Sequence, residues 1–236
     1  MLLLAVETAT SCTSVALLRD GALLAEETGD AQRPTAETLL PAIDALFGRV
    51  GVSAAEVGAF AVSIGPGSFT SLRIGVATVK GLAFGTPRPA LAVPTLQALA
   101  RTAAAGAGPA VALLDARRDE FYAAAFAGDA LDPSPLLPEG VYTVEQLCER
   151  LPPACRLTGD GAADCGAALR AALGDGVVCT APGAARARAA HVGALATRLL
   201  AAGRGVDPAR LTPRYVRRAE AEVKRTGQRF EGANPD

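Results

Sequence analysis

Two acidic residues stand at the ends of apolar segments and precede polar turns, an arrangement that can hold a nucleotide phosphate or its metal ion. Glu7 follows the apolar run 2–6, and Asp115 follows the apolar run 110–114. A phosphate-binding turn brings backbone N–H groups close to the phosphate, and glycine permits that approach. The turn after Glu7 is rich in hydroxyl residues and has no glycine. It therefore predicts either a vestigial phosphate loop or an ordinary polar turn. The candidate residues are Glu7, Thr8, Thr10, Ser11, Thr13 and Asp115.

The most distinctive segment of the chain runs from Gly65 to Gly75 and reads GPGSFTSLRIG. Its proline fixes φ, its glycines permit close backbone approach, and its hydroxyl residues can cap a helix that starts there. A helix N-terminus preceded by glycines can bind an anion. The candidate residues of this turn are Gly65, Pro66, Gly67, Ser68, Phe69, Thr70 and Arg73.

The helix predicted after this turn, from about Ser71 to Phe84, is apolar on nearly every side. Such a helix must be covered all round, whereas its own sheet covers one side only. The other side then needs a second lobe or another chain, and we favour a partner chain. A preceding helix, predicted from about Thr35 to Gly48, has the one-sided apolar period of an amphipathic helix.

Residues with the chemistry of known catalytic sites are scarce. His191 is the one histidine in the sequence, so neither a two-histidine metal site nor an obvious Ser-His-Asp triad is expected. The five cysteines form no CxxC pair, which favours free thiols in a reducing compartment. We predict no catalytic residue, no metal site and no cofactor.

A basic segment lies near the end of the chain. Residues 204–229 hold eight lysines and arginines against three acids, a local charge of +5. This pattern indicates either a solvated tail or a contact with nucleic-acid phosphates or an acidic partner. The residues that we single out are Arg214, Arg217 and Arg218.

The composition is that of a globular protein. Of the 236 residues, 50% are apolar and 20% charged, and the net charge of −1 gives no bulk attraction to nucleic acid or to an acidic membrane. The apolar start has no basic residue before it, and no stretch of about 18 apolar residues occurs. We therefore expect a cytoplasmic protein without a membrane partner.

The order of predicted elements indicates the fold class. Three strands in antiparallel order are followed by alternating helices and strands, and the second half repeats this plan weakly. This is an α/β plan of two ribonuclease-H-like lobes, each a mixed sheet flanked by helices, as in actin-like ATPases. We expect a first lobe over 1–107, with 190–225 packing back on it. A smaller second lobe over 108–189 and a flexible tail over 226–236 are expected as well.

Several segments resemble one bacterial family. They are Leu4–Thr10, Gly65–Gly75, Lys80–Ala83, Asp115–Arg117 and Pro213–Arg217. Together they are similar to the TsaB family, formerly YeaZ, the paralogues of TsaD, and they cover nearly the whole chain in order. Two departures stand out, because many relatives have aspartate in place of Glu7 and a histidine near Thr35–Glu37.

This resemblance implies a non-catalytic, dimerising subunit that acts with the catalytic paralogue TsaD and the small ATPase TsaE. The complex forms N6-threonylcarbamoyladenosine next to the anticodon of tRNAs that read ANN codons. Alone, the chain is expected to form a homodimer, and it would meet tRNA only through the complex. The resemblance also assigns the partner interface to the two long helices. The interface residues are Leu39, Leu40, Ile43, Leu46, Ile74, Gly75, Ala77, Thr78, Gly81 and Leu82.

A different function stays open at this point. An active ATP-dependent enzyme of the actin-like superfamily, such as a kinase or carbamoyltransferase, would need a working phosphate loop at Thr8–Ser14. It would also need a metal ion on Glu7 or Asp115.

Overall fold

The computed structural model describes residues 1–103, 105–128, 130 and 135–217, and these form two compact units. The first unit contains residues 1–95 and 188–214, and the second contains 96–187 with the described residues 215–217. Residues 96–107, which the sequence analysis gave to the first lobe, belong to the second unit because Leu96 and Leu99 are buried in its core. Arg218 and the tail expected over 226–236 lie outside the described residues.

The first unit is built on a five-stranded sheet with the order β3-β2-β1-β4-β5. Strands β1, β2 and β3 are antiparallel, whereas β4 and β5 run parallel to β1. The elements are β1 (Leu2–Glu7), β2 (Ser14–Arg19), β3 (Ala22–Thr28), β4 (Val57–Ser63), β5 (Ala90–Val93), α1 (Thr35–Val50), α2 (Phe69–Ala83) and α6 (Ala189–Ala201).

Helices cover both faces of this sheet. The buried side chains of α1 and α2 pack on one face with Leu4, Val6 and Phe60, and α6 packs on the other face against β1 and β2. Every residue of β1 is buried, as expected for a central strand covered on both faces.

The second unit repeats this plan with a sheet of order β10-β9-β6-β7-β8. Strands β6, β7 and β8 are antiparallel, and β9 and β10 run parallel to β6. The elements are α3 (Thr95–Ala100), β6 (Ala110–Asp115), β7 (Glu120–Phe126), β8 (Leu137–Thr143), α4 (Val144–Arg150), β9 (Cys155–Thr158), α5 (Gly161–Leu173) and β10 (Val177–Cys179).

Both units thus have three antiparallel strands followed by parallel strands that alternate with helices. The predicted α/β fold class of two ribonuclease-H-like lobes is confirmed. The three prolines of residues 132–140 favour a surface loop there. This prediction is wrong for residues 137–140, which belong to β8. Pro138 fits within β8 because β8 is an edge strand, where the missing N–H removes no essential ladder bond.

No helix among the residues described here is long and apolar enough to cross a membrane.

The first unit holds the N-terminus of α6 with side chains from its strands. Arg188, the residue before α6, makes no capping bond with its own side chain. Instead, Ser14 Oγ accepts the Ala189 N–H at 2.9 Å and Glu26 Oε1 accepts the Ala190 N–H at 2.9 Å. Glu26 also pairs with the Arg188 guanidinium. A carboxylate at a helix N-terminus is favoured by the helix dipole, so Glu26 ties α6 to β3.

Replacing Glu26 with alanine should destabilise the protein by about 1.5–3 kcal/mol, because the Ala190 N–H loses a charged acceptor. The matched control is Glu27→Ala, which removes a partly exposed pair with Arg49 at 2.9 Å on the other face of the sheet. That change should cost about 0–1 kcal/mol. Urea unfolding of both variants measures the difference, and equal losses would contradict the capping role of Glu26.

Candidate functional site

The turn after β1 is bonded to its own acidic residue. The Thr10 N–H donates to Glu7 Oε1 at 3.0 Å, and the Thr10 hydroxyl donates to the same oxygen at 3.2 Å. Glu7 is completely buried, and neither Glu7 Oε2 nor Thr8 Oγ1 has a hydrogen-bond partner among the described residues. The Thr10 N–H therefore points to the buried Glu7 carboxylate. In a phosphate-binding loop, such an N–H would point to the ligand instead.

Burial raises the pKa of the Glu7 carboxyl above its usual value of 4.5, because the charged form loses its hydration. Hydrogen bonds from Ser63 and Thr10 oppose this effect without cancelling it. The folded protein therefore retains a proton on Glu7 at pH values where the unfolded chain has released it.

The corresponding turn of the second unit is bonded in the same way. Asp115 Oδ1 accepts the Arg117 N–H at 2.6 Å, and Asp115 Oδ2 lies 3.5 Å from the Arg117 guanidinium. Asp160, which caps α5 through the Gly161 N–H at 2.8 Å, accepts the Asp115 N–H at 3.1 Å. In both predicted phosphate turns, the acidic side chain thus accepts a backbone N–H of its own turn. Sequence reasoning missed Asp160, although the Gly-Asp-Gly turn before a helix is a recognisable capping signal.

A chain of hydroxyl groups joins the remaining residues of the first turn to the helices. The Thr13 hydroxyl donates to Thr35 Oγ1 at 3.3 Å, and the Thr35 hydroxyl donates to Ser71 Oγ at 3.1 Å. Ser68 Oγ donates to the same Ser71 oxygen at 3.1 Å. Ser11 stays exposed at the tip. The turn and the N-termini of α1 and α2 therefore form one polar network.

The glycines of the Gly65–Gly75 motif are places where other segments pack. A Cβ at Gly65 would overlap the Arg214 carbonyl oxygen, and one at Gly67 would overlap the Ala9 carbonyl oxygen. A Cβ at Gly75 would overlap the Thr8 hydroxyl. The motif thus brings the turn after β1, helix α2 and the C-terminal segment together, and Pro66 lies buried at the centre of this junction.

The N-terminus of α2 is capped by Ser68, whose hydroxyl oxygen accepts the Ser71 N–H at 3.5 Å. The Ser68 N–H itself donates to the Ala9 carbonyl at 2.8 Å. Thr70 is exposed beside the cap. The Arg73 guanidinium lies over the Phe69 ring, 3.8 Å from its centroid, which holds the arginine along the outer side of α2.

Helices α1 and α2 lie side by side and share an exposed, mostly apolar surface. We call this surface the pairing face, defined by Ala36, Leu40, Asp44, Ala77, Gly81 and Phe84. Leu40 is 56% exposed and Phe84 is 87% exposed, which is unusual for such large apolar side chains and typical of an interaction surface. Ala77 and Gly81 are small and exposed. Phe84 was not among the predicted interface residues, although an apolar residue directly before the helix-ending Gly85 was a usable signal.

Four predicted interface residues are corrected by the structure. Leu39, Ile43 and Leu46 are buried in the core of the first unit, and Gly75 is buried against Thr8. None of the four can face a partner while the lobe is folded. Three further predicted interface residues, Ile74, Thr78 and Leu82, are half-buried. The inner side of helix α2 therefore fills the core, and part of its outer side forms the pairing face.

The residues singled out in the predicted basic tail have different surroundings in the structure. Arg217 donates to the Ala116 carbonyl oxygen and pairs with Glu120, and the two side chains are only 15% and 17% exposed. Arg217 is thus a partly buried residue that pairs within its own unit, which fits neither of the two readings given for the basic segment. Arg214 is exposed, and its N–H donates to the Ile64 carbonyl at 2.7 Å. Arg218 lies outside the described residues.

The cysteines and the acidic side chains give no other candidate. All five cysteines are free thiols, and burial raises the pKa of Cys165 to about 12. In the part of the chain that the structure describes, no group of three or more His, Cys, Asp and Glu side chains is placed to hold a metal ion.

The fold and these features define a class, that of two-lobed ribonuclease-H-like proteins with self-bonded turns and an exposed helix pair. Residues 29–224 match the family described as TsaD, tRNA N6-adenosine threonylcarbamoyltransferase. A Pseudomonas aeruginosa crystal structure, described as similar to peptidase YEAZ, is 30% identical. It has a TM-score of 0.74 and matches 92% of this chain and 99% of that one. A second P. aeruginosa structure, YeaZ, is 28% identical with a TM-score of 0.70 and matches 91% and 99% of the two chains.

The tRNA threonylcarbamoyladenosine biosynthesis protein TsaB of Escherichia coli is 37% identical over 131 residues, which are 55% of this chain and 56% of that protein. The chain therefore spans about half the length of this relative. It belongs to the TsaD family and, within that family, to the TsaB/YeaZ group.

Replacing Gly75 with alanine should destabilise the protein by about 1–3 kcal/mol, because the added methyl group overlaps the buried Thr8 side chain. Gly81→Ala is the matched control in the same helix, since a Cβ there meets nothing within 4 Å. The control should stabilise the protein by about 0.5–1 kcal/mol through helix propensity. Thermal and urea unfolding measure both changes. A neutral or stabilising Gly75→Ala would contradict the close packing of α2 on Thr8.

The raised pKa of Glu7 predicts a stability that falls with pH. Above the ordinary value of 4.5 the unfolded chain releases this proton before the folded protein does, so the free energy of unfolding decreases as pH rises towards the folded pKa. Glu7→Gln removes this contribution and keeps an oxygen for Thr10. The stability of the variant relative to the wild type should therefore increase as pH rises above 4.5. Urea unfolding from pH 4.5 to 8 measures it, and a constant difference would refute the assignment.

Proposed function

We propose that this chain is a non-catalytic subunit of the cytoplasmic complex that forms N6-threonylcarbamoyladenosine next to the anticodon of tRNAs reading ANN codons. It pairs with its catalytic TsaD paralogue and acts in the same complex as the TsaE ATPase. The single observation that carries the proposal is the pairing face, an exposed apolar surface on two adjacent helices of a folded lobe. Membership of the TsaB/YeaZ group supports the same reading.

The shape and charge of the pairing face support protein pairing. The small side chains of Ala77 and Gly81 allow a partner backbone to come close, and Leu40 and Phe84 supply large apolar groups beside them. Large aromatic and aliphatic side chains that become buried on binding contribute most of the affinity in typical interfaces. Asp44 on the face and the exposed Arg73 elsewhere on α2 supply charges of both signs, which favours one orientation of the partner.

The state of the two turns supports a non-catalytic role. In each turn the acid that would hold a metal ion or water already accepts a backbone N–H of the same turn. A nucleotide phosphate would have to compete with these short internal bonds. The proposal therefore places the transfer chemistry on the paralogue and gives this chain the task of holding it in an active arrangement.

Replacing Leu40 and Phe84 with glutamate should weaken pairing with the TsaD paralogue by at least about tenfold, because two exposed apolar contacts become charged groups in the interface. Both side chains are exposed, so the fold should be retained. Leu136→Glu is the matched control, since Leu136 is 65% exposed in the second unit. Sedimentation velocity with the purified paralogue measures pairing, and tRNA modification in the mixture with TsaE and the threonylcarbamoyl-adenylate donor measures function.

Loss of pairing and of modification in the double variant, with normal behaviour of Leu136→Glu, would support the proposal. Wild-type pairing by the double variant would overturn the assignment of the face. Hydrolysis of ATP or modification of tRNA by the isolated chain would instead favour an active ATP-dependent enzyme. Such a result would direct attention to Glu7 and Asp115.

A further inference from the structure

Helix α1 carries one acidic side chain within the pairing face. Asp44 follows Leu40 by one helical turn, and both side chains are exposed. Residues three and four positions apart on a helix are neighbours on its surface. The neighbours of Asp44 at these positions are all uncharged, namely Leu40, Pro41, Phe47 and Gly48. The Asp44 carboxylate therefore lies in mostly apolar surroundings, with no cation at the neighbouring positions of its own helix.

The structure describes the first unit throughout, and Asp44 is the one acidic side chain of that unit without a hydrogen bond or ion pair. Every other acid of the unit accepts a backbone N–H, pairs with a cation or does both. These acids are Glu7, Asp20, Glu26, Glu27, Asp30, Glu37, Glu56 and Asp207. The fold thus uses the other acids for its own contacts and leaves Asp44 available to an external partner.

Burial of the pairing face would change the energetics of this carboxylate. An ionised carboxylate that loses its water is unfavourable unless a cation or hydrogen-bond donors replace that water. The basic residues of the two helices are Arg49, Arg73 and Lys80, and none of them belongs to the pairing face. Arg49 already pairs with Glu27 at 2.9 Å, and Arg73 lies over the Phe69 ring. A partner that buries the face therefore has to bring the cation itself.

We propose that Asp44 determines the specificity of the pairing face, because its carboxylate pairs with a lysine or arginine of the TsaD paralogue. This inference rests on the proposed function for the identity of the partner and names the charge that the partner must carry. A partner cation placed against Asp44 forms a charge-assisted hydrogen bond in an otherwise apolar contact.

The same carboxylate disfavours a second copy of this chain as the partner. Two copies that paired through the same face would bury two Asp44 carboxylates, and the face supplies no cation to either of them. Specificity is a difference between two affinities, and an unpaired charge in the wrong complex increases that difference. Asp44 thus favours the heterologous pair by attraction and opposes the self-pair by the cost of its burial.

The experiment compares Asp44→Asn with the control Glu149→Gln. Each variant replaces a carboxylate by an amide of the same shape at an exposed helix position, Asp44 in α1 and Glu149 in α4 of the second unit. A further variant, Asp44→Lys, reverses the charge. Biolayer interferometry measures the association and dissociation rates with the purified paralogue over a series of salt concentrations. Sedimentation velocity measures self-association of each chain alone, and urea unfolding checks that each variant is folded.

Asp44→Asn should bind the paralogue about tenfold or more weakly than the control, mainly through faster dissociation, because a desolvated charge pair is lost. Asp44→Lys should bind about a hundredfold or more weakly, because two cations then meet in the interface. The affinity of Asp44→Asn should depend less on salt than that of the wild type. Self-association of Asp44→Asn should equal or exceed that of the wild type.

Two results would overturn the proposal. Equal affinities, dissociation rates and salt dependences for Asp44→Asn and Glu149→Gln would show that no partner cation meets Asp44. Weaker self-association of Asp44→Asn than of the wild type would place the cation on a second copy of this chain instead of on the paralogue.

Failure of the proposed function gives a different result from failure of this inference. If the wild-type chain does not pair with the paralogue, the proposed function and the role of Asp44 are both wrong. If the wild-type chain pairs and Asp44→Asn matches Glu149→Gln, only the role of Asp44 is wrong and the proposed function stands.

Discussion

The first unit depends on the close approach of three segments to one glycine-rich turn. The backbones at Ala9 and Arg214 reach Gly67 and Gly65 at distances that leave no room for a Cβ, and Thr8 reaches Gly75 in the same way. These contacts set the height of α2 above the sheet. They also fix where the turn after β1 ends and where the C-terminal segment meets Ile64, directly after β4. The outer side of α2, which contributes to the pairing face, is therefore positioned by the Gly65–Gly75 motif.

In both lobes the turn after the first strand is bonded to the acid at the end of that strand. Glu7 and Asp115 occupy equivalent positions at the ends of β1 and β6, and each accepts an N–H of the turn that follows it. The geometry of the strand end is conserved between the lobes even though the turns differ in sequence. An acid at the end of the first strand can thus stabilise its own hairpin, without any ligand, by replacing the solvent that would otherwise bond the turn.

The sequence predicted the elements with strong periodicity and missed those decided by tertiary context. β6 lies where its continuous apolar run predicts a strand, and β3 begins directly after Asp20-Gly21, a sequence typical of a hairpin turn, because these signals are local. β8 was missed because proline argues against a strand unless the strand is known to lie at an edge. The local sequence likewise does not show which side of a helix faces a partner. Leu39 and Leu40 are neighbours of the same type, and only the packing of α1 buries one and exposes the other.

The bond between Val206 and Ala90 has a consequence for solubility. β5 is the outer strand of the first sheet, and an open outer strand presents unpaired N–H and C=O groups that can recruit strands of other molecules. The two backbone bonds from Val206 occupy the start of this edge, and the buried Leu211 holds the covering segment in place. A chain that ended before Val206 would thus lose the cover that shields this edge from intermolecular β-pairing.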